Sequence, residues 1–463
     1  MGKPLEGRIP NQSVLCPGFA ILYPTSLRLS GALVADVLVT FSLHFVSNCP
    51  VDKCGRLHRL IDQFEIPEPA TRVPLTLRSF ALELLPPILV HYAIAYLVLI
   101  PNTFALRIGL LPIALWANLR GATRVDISFN DPRLVYFNQG LVLCHIVLAM
   151  RNIAWSFVLK PFKRDKLKPT HAPNEHAHEQ GESPGIDALD LIINLRGIGW
   201  DWSRGLRLPP ETRRTNSMKS FTISTFTSLV SHILVFDLIH YAVQWFSPDT
   251  IGSPLGGSIY DMTLPLSIRI PRATIITTLS GLAVYSAIQI AYDFSTLVGL
   301  HIFGQHPTQW PPLFETPWLA TSLTEFWAKR WHQLFRDSFI SMGAKPMSLI
   351  AGRAGSVVGA FLVSGVLHDG GMWGMGNGTE FSSVGGFFII QGLGIVLEGL
   401  LRKITGHRVG GFFGWVWNTT WVIGWGHLLI DAWARRGLMG SVFIPDQYRL
   451  PALLFGSLSR TSR

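Results

Sequence analysis

The chain has 463 residues, of which 48% are hydrophobic and only 15% are charged, against roughly 25% charged residues in an average soluble domain. This composition excludes a disordered protein, a coiled coil and most soluble enzymes, and it predicts a polytopic membrane protein. The net charge of +10 is spread between the apolar segments. Such a distribution indicates membrane topology and contact with membrane lipid, and no nucleic-acid partner is expected.

Apolar segments close to the length of about 20 residues that a membrane helix needs recur along the chain. They predict an all-α protein with about 8–10 transmembrane helices. The candidate spans are 28–46, 80–100, 102–118, 134–158, 221–246, 272–300, 346–367, 383–401 and 412–433. Segment 102–118 contains Arg107 and is either a hairpin partner or a full crossing, and Pro17 interrupts a weaker segment at 14–24. No cleavable signal peptide is evident, so the first span is expected to act as the insertion signal.

One long polar insertion, residues 159–220, separates two of these spans and is predicted to be a cytosolic loop. Basic residues favour the cytosolic side, and the same rule places 302–345 and the turn with Arg402 there as well. It puts Arg435 and Arg436 on the opposite side, so either the last span is re-entrant or the count of spans is wrong by one.

The sequence offers several weak site signals that do not carry a functional prediction. The loop contains His171, His176 and His178, but its Pro, Gly, Ser and Asn content indicates a solvated segment, and we predict no metal site. The four cysteines show no zinc spacing, although Cys49 and Cys54 could pair in an oxidising lumen. Glycosylation sequons occur at Asn11 and Asn377, whereas a third, at Asn418, lies inside an apolar span.

Ionisable residues inside the predicted spans are functional candidates because a charge is expensive at membrane depth. We expect most of them to be polar contacts in the interior of the bundle. They are Asp36, Glu83, His91, His145, Asp237, His240, Asp293, Glu398, His427 and Asp431. Asp237 and His240 stand three residues apart and could pair on one helix face. With Asp293 they could instead form the relay of a transporter, but the absence of internal repeats disfavours that class.

The first stretch with denser chemistry is 310–337, WPPLFETPWLATSLTEFWAKRWHQLFRD. The Trp-Pro-Pro at its start excludes a helix there, because a proline disfavours the helical region for the residue before it. From Ser322 the pattern becomes helical, and Ser322 followed by Glu325 indicates a capping box. We predict an amphipathic helix that lies at the interface or lines the mouth of a cavity.

The same stretch carries residues suited to a phosphate-bearing ligand. His332 follows Trp331, and Arg330 and Arg336 are close in sequence. A guanidinium suits bidentate pairing with phosphate, while topology alone would also explain basic residues here.

The second stretch, 356–378, SVVGAFLVSGVLHDGGMWGMGNG, begins with an apolar segment that ends in His368 and Asp369 and is followed by two glycines. We predict that the helix stops there. Small residues, which allow close helix packing, recur along it. They are Gly355, Ser356, Gly359, Ala360, Ser364 and Gly365. A histidine in such surroundings either serves as a general base or is a core residue that donates to a backbone carbonyl.

Together the two stretches resemble the wax synthase-like branch of the membrane-bound O-acyltransferases. Members of that branch show Trp-Pro-Pro-Leu-Phe, then Ser-Leu-x-x-Phe-Trp-x-x-x-Trp-His, then an apolar helix ending Ser-Gly-x-x-His. Here these are residues 310–314, 322–332 and 364–368, and an Arg-Gly-x-Gly-Trp turn similar to that of the branch lies at 196–200. The resemblance covers about residues 190–435. Glu315 and Ala328 depart from it, since the branch usually has glycine at both positions, and these departures bear on substrate fit.

The resemblance implies a multi-helix membrane fold that encloses a reaction chamber, entered by acyl-CoA from the cytosol and by a lipophilic alcohol from the bilayer. It makes His368 the general base that deprotonates the acceptor hydroxyl. His332 would orient or polarise the thioester carbonyl. Trp331, Arg330, Arg336 and Asp369 are the expected substrate-binding residues, and the two arginines would contact the CoA phosphates.

The residue inventory agrees with direct acyl transfer. No Gly-x-Ser-x-Gly elbow is present and no cysteine lies in either stretch, which argues against a covalent acyl-enzyme. Transfer from a thioester to an alcohol needs a base, a polarising group and exclusion of water. No cofactor is therefore expected beyond the cosubstrate acyl-CoA, with acetyl-CoA as the first choice.

We therefore predict one membrane-embedded acyltransferase domain over residues 1–463, with the catalytic region at 310–435, in an internal membrane such as the endoplasmic reticulum. The chain resembles fungal tailoring acetyltransferases of terpenoids and meroterpenoids. The alternative within the enzyme class is a long-chain alcohol or sterol O-fatty-acyltransferase. The alternative from another class is a membrane transporter.

Overall fold

The computed structural model describes residues 68–165, 183–203 and 205–456, and this part of the chain is almost wholly helical. The all-α prediction is confirmed. The expected span at 28–46, the segment at 14–24, the pair Cys49 and Cys54, the sequon at Asn11 and the histidine patch at 171–178 lie outside the described residues.

Eleven helices of at least six residues or with a motif role organise the described chain, together with one minimal parallel sheet. The helices are α1 (Leu77–Val98), α2 (Phe104–Arg124), α3 (Tyr136–Ser156), α4 (Pro184–Ile193), α5 (Met218–Trp245), α6 (Leu266–His301), α7 (Leu323–Glu325, continued by the π-helical turn Phe326–Arg330), α8 (Arg336–Gly374), α9 (Phe381–Thr405), α10 (Gly411–Arg435) and the short α11 (Leu450–Phe455). Strands β1 (Val73–Pro74) and β2 (Val125–Asp126) pair in parallel.

Five of these helices, within the described residues, are long and apolar enough to cross a membrane: α1, α5, α6, α8 and α9. Every candidate span from 80–100 onward corresponds to a helix. The doubtful segment at 102–118 belongs to α2, which is a full 21 residues long.

The helices form two packed groups that meet along α3 and α8. In the first, α4 lies against α1, with Ala188 and Leu191 buried beside Ile94 and Trp155. Part of the insertion predicted as a solvated loop is therefore a helix packed on the bundle, because its apolar face has a partner there. In the second group, α5 packs on α6, α8 on α9, and α10 on both α9 and α6.

Helix α8 is a hairpin and not one continuous rod. The backbone leaves the helical region at Ala351 and Gly352, and Gly352 has a φ of 56°, which glycine adopts without steric cost. The predicted span at 346–367 is therefore wrong in its first residues, because the turn lies inside it. We call residues 336–350 the re-entrant arm and residues 353–374 the spanning arm.

The two arms of α8 lie antiparallel and in very close contact. A Cβ on Gly359 would meet the carbonyl of Gly343, and a Cβ on Gly355 would meet the carbonyl of Met347. If the same pairing of the two arms is extended, residue 334 lies opposite His368. The segment before α8 therefore reaches the same level of the helix bundle as His368. The predicted role in close packing is confirmed for Gly355 and Gly359, whereas Ser356, Ala360 and Ser364 line a cavity.

The spanning arm continues past His368 to Gly374, so the prediction that the helix stops at residue 369 is wrong. The following glycines serve packing instead of termination. A Cβ on Gly370 would lie 2.7 Å from Ile146, and one on Gly371 would lie 2.7 Å from Leu143. Helix α3 therefore packs directly against this turn of α8.

The ionisable residues in the helices are bonded to protein groups, as expected for interior polar contacts; Asp36 lies outside the described residues. Asp237 and His240 do not pair with each other. Asp237 accepts from Arg449 at 2.8 Å, and Nε2 of His240 lies 3.0 Å from the carbonyl of Met439. Asp293 accepts from Ser228 at 2.7 Å in a separate cluster, so these residues form no continuous relay.

Arg435 and Arg436, which the charge rule put on the unexpected side, are both paired with Glu380. Arg435 also lies 3.3 Å from Asp431, one turn earlier on α10. Both arginines therefore have acidic partners in the fold, and the side of the membrane on which they lie stays a prediction. Within the described residues, α10 is one helix of 25 residues.

Candidate active site

A cavity of about 910 Å³ lies between α6, both arms of α8, α9, α10 and the chain from Pro317 to Arg336. Its wall consists mostly of apolar and aromatic side chains, so a bound molecule would exchange water for an apolar lining. A few polar side chains interrupt this wall. They include His332, His368, Gln333, Arg336, Arg353, Thr277, Thr278 and Asn418.

His368 presents one ring nitrogen to the protein and leaves the other without a protein partner. Its Nδ1 lies 2.7 Å from the carbonyl oxygen of Ser364 and must donate, because a carbonyl only accepts. The ring stacks on Phe388, with centroids 4.3 Å apart. Nε2 makes no hydrogen bond with any described residue, so its lone pair is available in the cavity.

His332 lines the same cavity from the chain before α8. Its Nδ1 is buried and has no hydrogen-bond partner among the described residues. Burial, followed by the charges of His368 and Arg196, lowers the pKa of His332 to about 3. The ring is therefore neutral at physiological pH, and it can offer one N–H to an oxygen atom in the cavity.

The chain that carries His332 is not the continuous amphipathic helix that the periodicity predicts. Helix α7 ends at Arg330, and Trp331 has an extended backbone with a ψ of 156°. Nε2 of Gln333 donates to the carbonyls of Trp327 and Trp331, at 2.9 and 3.1 Å, and so satisfies groups that a helix would have bonded internally. The break brings Trp331 and His332 to the cavity together.

The start of α7 is fixed by two carboxylates. Ser322 caps the helix by accepting from the backbone N–H of Glu325, but the Glu325 side chain bonds Thr321 and not Ser322, so only half of the predicted capping box forms. Glu398 of α9 accepts from the backbone N–H groups of Leu323 and Thr324, at 2.7 and 3.0 Å. An acidic group suits this position, because the first N–H groups of a helix have no internal partner.

Arg196 ties the turn at 196–200 to the start of the first motif. Its guanidinium donates to the carbonyls of Pro311 and Pro312, at 2.7 and 2.9 Å, and to the hydroxyl of Tyr292. The sequence indicated this turn only through the resemblance. The structure shows its function in the fold, which is to hold the two-proline segment against α6.

The four residues expected to bind substrate occupy different positions. Trp331 and Arg336 line the cavity, and Arg330 and Asp369 do not. Arg330 is engaged by Glu325 at 2.8 Å and by the Glu315 carbonyl at 2.9 Å.

Asp369 points away from the cavity as well, because it accepts from the backbone N–H of Glu380 at 2.8 Å. Arg353, which the sequence did not single out, lines the cavity at the start of the spanning arm. Its position was hidden because the turn at 351–352 has no strong sequence signal.

The two residues that depart from the family pattern, Glu315 and Ala328, lie in different places relative to the cavity. Ala328 lines the cavity, whereas Glu315 forms an ion pair with Lys329 at 3.0 Å outside it. Of the two, only Ala328 is therefore placed to affect the shape of the cavity.

Comparison with known proteins agrees with this geometry. Residues 310–390 match the model of the Membrane bound O-acyl transferase family, and this region contains both motif histidines. The predicted resemblance is thereby confirmed.

Curated relatives extend the similarity along the chain. Acetyltransferase spyB of Aspergillus fumigatus is 25% identical over 62% of this chain and 51% of its own length. Acetyltransferase ataH of Aspergillus terreus is 27% identical over 48% of this chain and 78% of its own. A long-chain-alcohol O-fatty-acyltransferase of Simmondsia chinensis is 29% identical over 21% of this chain and 30% of its own. The chain thus spans about half the length of spyB.

Proposed function

We propose that this chain, whose residues 310–390 match the membrane-bound O-acyltransferase family, is an acyl-CoA-dependent O-acyltransferase. Its product is the ester of a lipophilic, terpenoid-type alcohol, and acetyl is the first acyl group to test. The observation that carries the proposal is that His332 and His368 line one largely apolar cavity. A base and a polarising group in a site that excludes water are what acyl transfer to an alcohol requires.

In the proposed reaction, Nε2 of His368 takes the proton of the acceptor hydroxyl while its oxygen attacks the thioester carbonyl carbon. The C–S bond then breaks, and the proton passes from His368 to the departing thiolate to give free CoA thiol. His332 donates its N–H to the carbonyl oxygen, where negative charge develops during the attack. The bond from Nδ1 of His368 to Ser364 keeps the tautomer that a base needs.

The spanning arm of α8 supports a path for the acyl donor. Arg353, Ser356, Ala360, Ser364 and His368 all line the cavity at helical spacing and so share one face. Arg353 is about 22 Å from His368 at the helical rise per residue, which is comparable with an extended phosphopantetheine arm. Small side chains between the two leave room for that arm, and Arg353 would bind a CoA phosphate.

Arg336 is the second cation in the cavity wall, and neither its guanidinium nor that of Arg353 makes an ion pair or a hydrogen bond with a described residue. A positive charge in an apolar wall favours an anionic ligand. We propose Arg353, and not Arg330, for the contact with a CoA phosphate, since Arg330 is already bonded to Glu325. Arg336 lies about 20 Å from Arg353 along the arm and close to the depth of His368, so it is placed near the reacting end of the cavity.

The choice of acceptor rests on the relatives and on the cavity. The acetyltransferases from Aspergillus favour an acetyl donor, and the cavity volume suits a bulky lipophilic alcohol. The alternative is a long-chain alcohol acceptor and a fatty-acyl donor, in line with the name of the Simmondsia relative. We place the enzyme in the endoplasmic reticulum membrane with the loop 159–220 in the cytosol, on the basis of its charge distribution.

The test is mass spectrometry of lipid extracts from yeast membranes that contain the full chain, compared with its His368→Ala form. The membranes are incubated with acetyl-CoA or palmitoyl-CoA and a panel of terpenoid, sterol and long-chain alcohols. An acetylated terpenoid that depends on His368 supports the proposal. A long-chain ester that depends on His368 supports the alternative.

If the chain is present in the membrane and no ester depends on His368 with any donor or acceptor of the panel, the proposed function is wrong. The variant Arg353→Ala then tests the donor path in the active enzyme. It should raise the KM for acyl-CoA with little change in the KM for the alcohol, while Arg402→Ala, an exposed residue at the end of α9, serves as its control.

A further inference from the structure

Asn418 of α10 is a buried amide that the protein leaves unbonded. Its side chain lines the cavity, it is only 3% exposed, and it makes no hydrogen bond with any described residue. Other buried asparagines in the helices behave differently. Asn118 donates to the carbonyl of Ala114 at 2.7 Å and bonds His145 at 3.1 Å, and Asn138 accepts from the backbone N–H of Ile127 at 2.7 Å and donates to Asp126. Buried polar groups are normally satisfied, so an unbonded amide in a cavity wall needs a separate explanation.

Thr277 of α6 is a second unbonded polar group in the same wall. Its hydroxyl is buried and has no partner, whereas the hydroxyls of Thr274 and Thr278 bond back to carbonyls one turn earlier, at 2.9 and 2.8 Å. A helical threonine usually makes that bond when nothing else is available. Gly426 of α10 makes room for Thr277, since a Cβ there would lie 3.1 Å from its methyl group.

These two groups lie on α6 and α10, which form a wall separate from the one that carries the motif histidines. The spanning arm of α8, with Arg353 and His368, is assigned to the donor. Asn418 and Gly426 are two turns apart on α10, so Asn418 and Thr277 are separated by roughly 12 Å along the helices. A long, rigid molecule could reach both groups while its hydroxyl lies at His368.

We propose that Asn418 and Thr277 recognise oxygen functions of the acceptor other than the hydroxyl that is acylated. This inference rests on the proposed function and makes it more specific. The acceptor is then a polyoxygenated compound, such as a polycyclic diol or keto-alcohol, and not a simple fatty alcohol. An amide can both donate to a carbonyl and accept from a hydroxyl, and the threonine hydroxyl can do the same.

The test uses matched pairs of acceptors: a terpenoid diol or keto-alcohol and its analogue that keeps only the reacting hydroxyl. Initial rates with acetyl-CoA are measured for the wild-type chain, Asn418→Leu and Thr277→Val in membranes. Both variants remove the polar group at nearly constant volume. Thr278→Val is the matched control, because its hydroxyl lines the cavity but is already bonded to the backbone.

The wild-type chain should prefer the polyoxygenated acceptor, and Asn418→Leu should reduce that preference by roughly 10-fold to 100-fold. Thr277→Val should reduce it as well, and Thr278→Val should leave the ratio of the two rates unchanged. Thermal stability of Asn418→Leu should equal or exceed that of the wild type, because no protein hydrogen bond is lost. A structural role would instead lower it.

Two results would overturn the inference while leaving the acyltransferase function intact. One is an active wild-type chain whose preference is the same in all four forms. The other is a change in the KM for acetyl-CoA alone, which would assign Asn418 to the donor. If the wild-type chain acylates no acceptor of any kind in a His368-dependent manner, the proposed function itself has failed.

Discussion

Nδ1 of His368 donates a hydrogen bond of 2.7 Å to the carbonyl oxygen of Ser364, one turn earlier in the same helix. The same contact would fit a core histidine, but here the opposite nitrogen faces a cavity and has no partner among the described residues. The bond therefore orients a free lone pair towards the space where a substrate would lie.

Replacing His368 by alanine should lower the rate of ester formation by roughly 10²-fold to 10⁴-fold, the usual effect of removing a general base. His368→Gln keeps much of the shape and also lacks the base, so it should be equally inactive. Both are measured as initial rates at equal protein level in the membrane. An active His368→Gln form would contradict the role of a base.

His332 should tolerate asparagine better than alanine. A neutral imidazole and an amide each offer an N–H to the thioester carbonyl, whereas alanine offers none. We expect His332→Ala to lose roughly 100-fold in kcat and His332→Asn to retain a large part of the activity. The comparison of kcat at saturating acyl-CoA checks this, and equal losses in the two variants would argue for a packing role.

Glu398 should stabilise the first turn of α7. Its carboxylate accepts from the backbone N–H groups of Leu323 and Thr324, and from the indole of Trp417. Glu398→Gln turns one acceptor into a donor and should cost about 3 kcal/mol of stability. Thermal unfolding in detergent measures the loss. Arg402→Ala, on an exposed turn of the same helix, should leave the melting temperature unchanged.

Arg196 is expected to act on activity through position and not through contact with substrate. Lysine cannot reproduce the fork that spans the carbonyls of Pro311 and Pro312. Arg196→Lys should therefore reduce kcat by roughly 10-fold, and Arg207→Lys, an exposed residue of the same loop, should have no effect. The kcat of the two variants is compared at saturating donor and acceptor, and unaltered kinetics in Arg196→Lys would show that the segment stays in place without the fork.

Gly359→Ala should separate the arms of α8. The added methyl group would meet the carbonyl of Gly343, so it should destabilise the fold by roughly 1–3 kcal/mol and lower the activity. Gly386→Ala is the control, because a Cβ there meets nothing within 4 Å and alanine favours the helix. Thermal unfolding and ester formation are measured together. Equal stability of the two variants would contradict the close packing of the arms.

The sequence predicted the long helices well because each is an apolar run near the length of a membrane crossing. It also identified both motif histidines, through spacing and resemblance. The break after Arg330 could not be predicted, because helical periodicity continues through it and the bonds of the Gln333 side chain to the carbonyls of Trp327 and Trp331 leave no sequence pattern.

The glycines after His368 show a second limit of sequence reasoning. Two adjacent glycines usually indicate the end of a helix, since glycine is a poor helix former. Here Gly370 and Gly371 admit the side chains of Ile146 and Leu143 from α3, and this packing maintains the helix. Whether such glycines end a helix or admit a packed neighbour depends here on α3, which is more than two hundred residues away in sequence.

The hairpin of α8 has a consequence for the evolution of this region. His332 and His368 meet because the chain between them folds back on itself, so the length of the re-entrant arm sets how far His332 extends into the cavity. Deleting four residues from that arm alone would withdraw His332 by about 6 Å, roughly one helical turn, whereas equal deletions on both sides of the turn at 351–352 would preserve the match. We therefore expect insertions and deletions between the two histidines to preserve activity only when the two arms of the hairpin change by equal lengths.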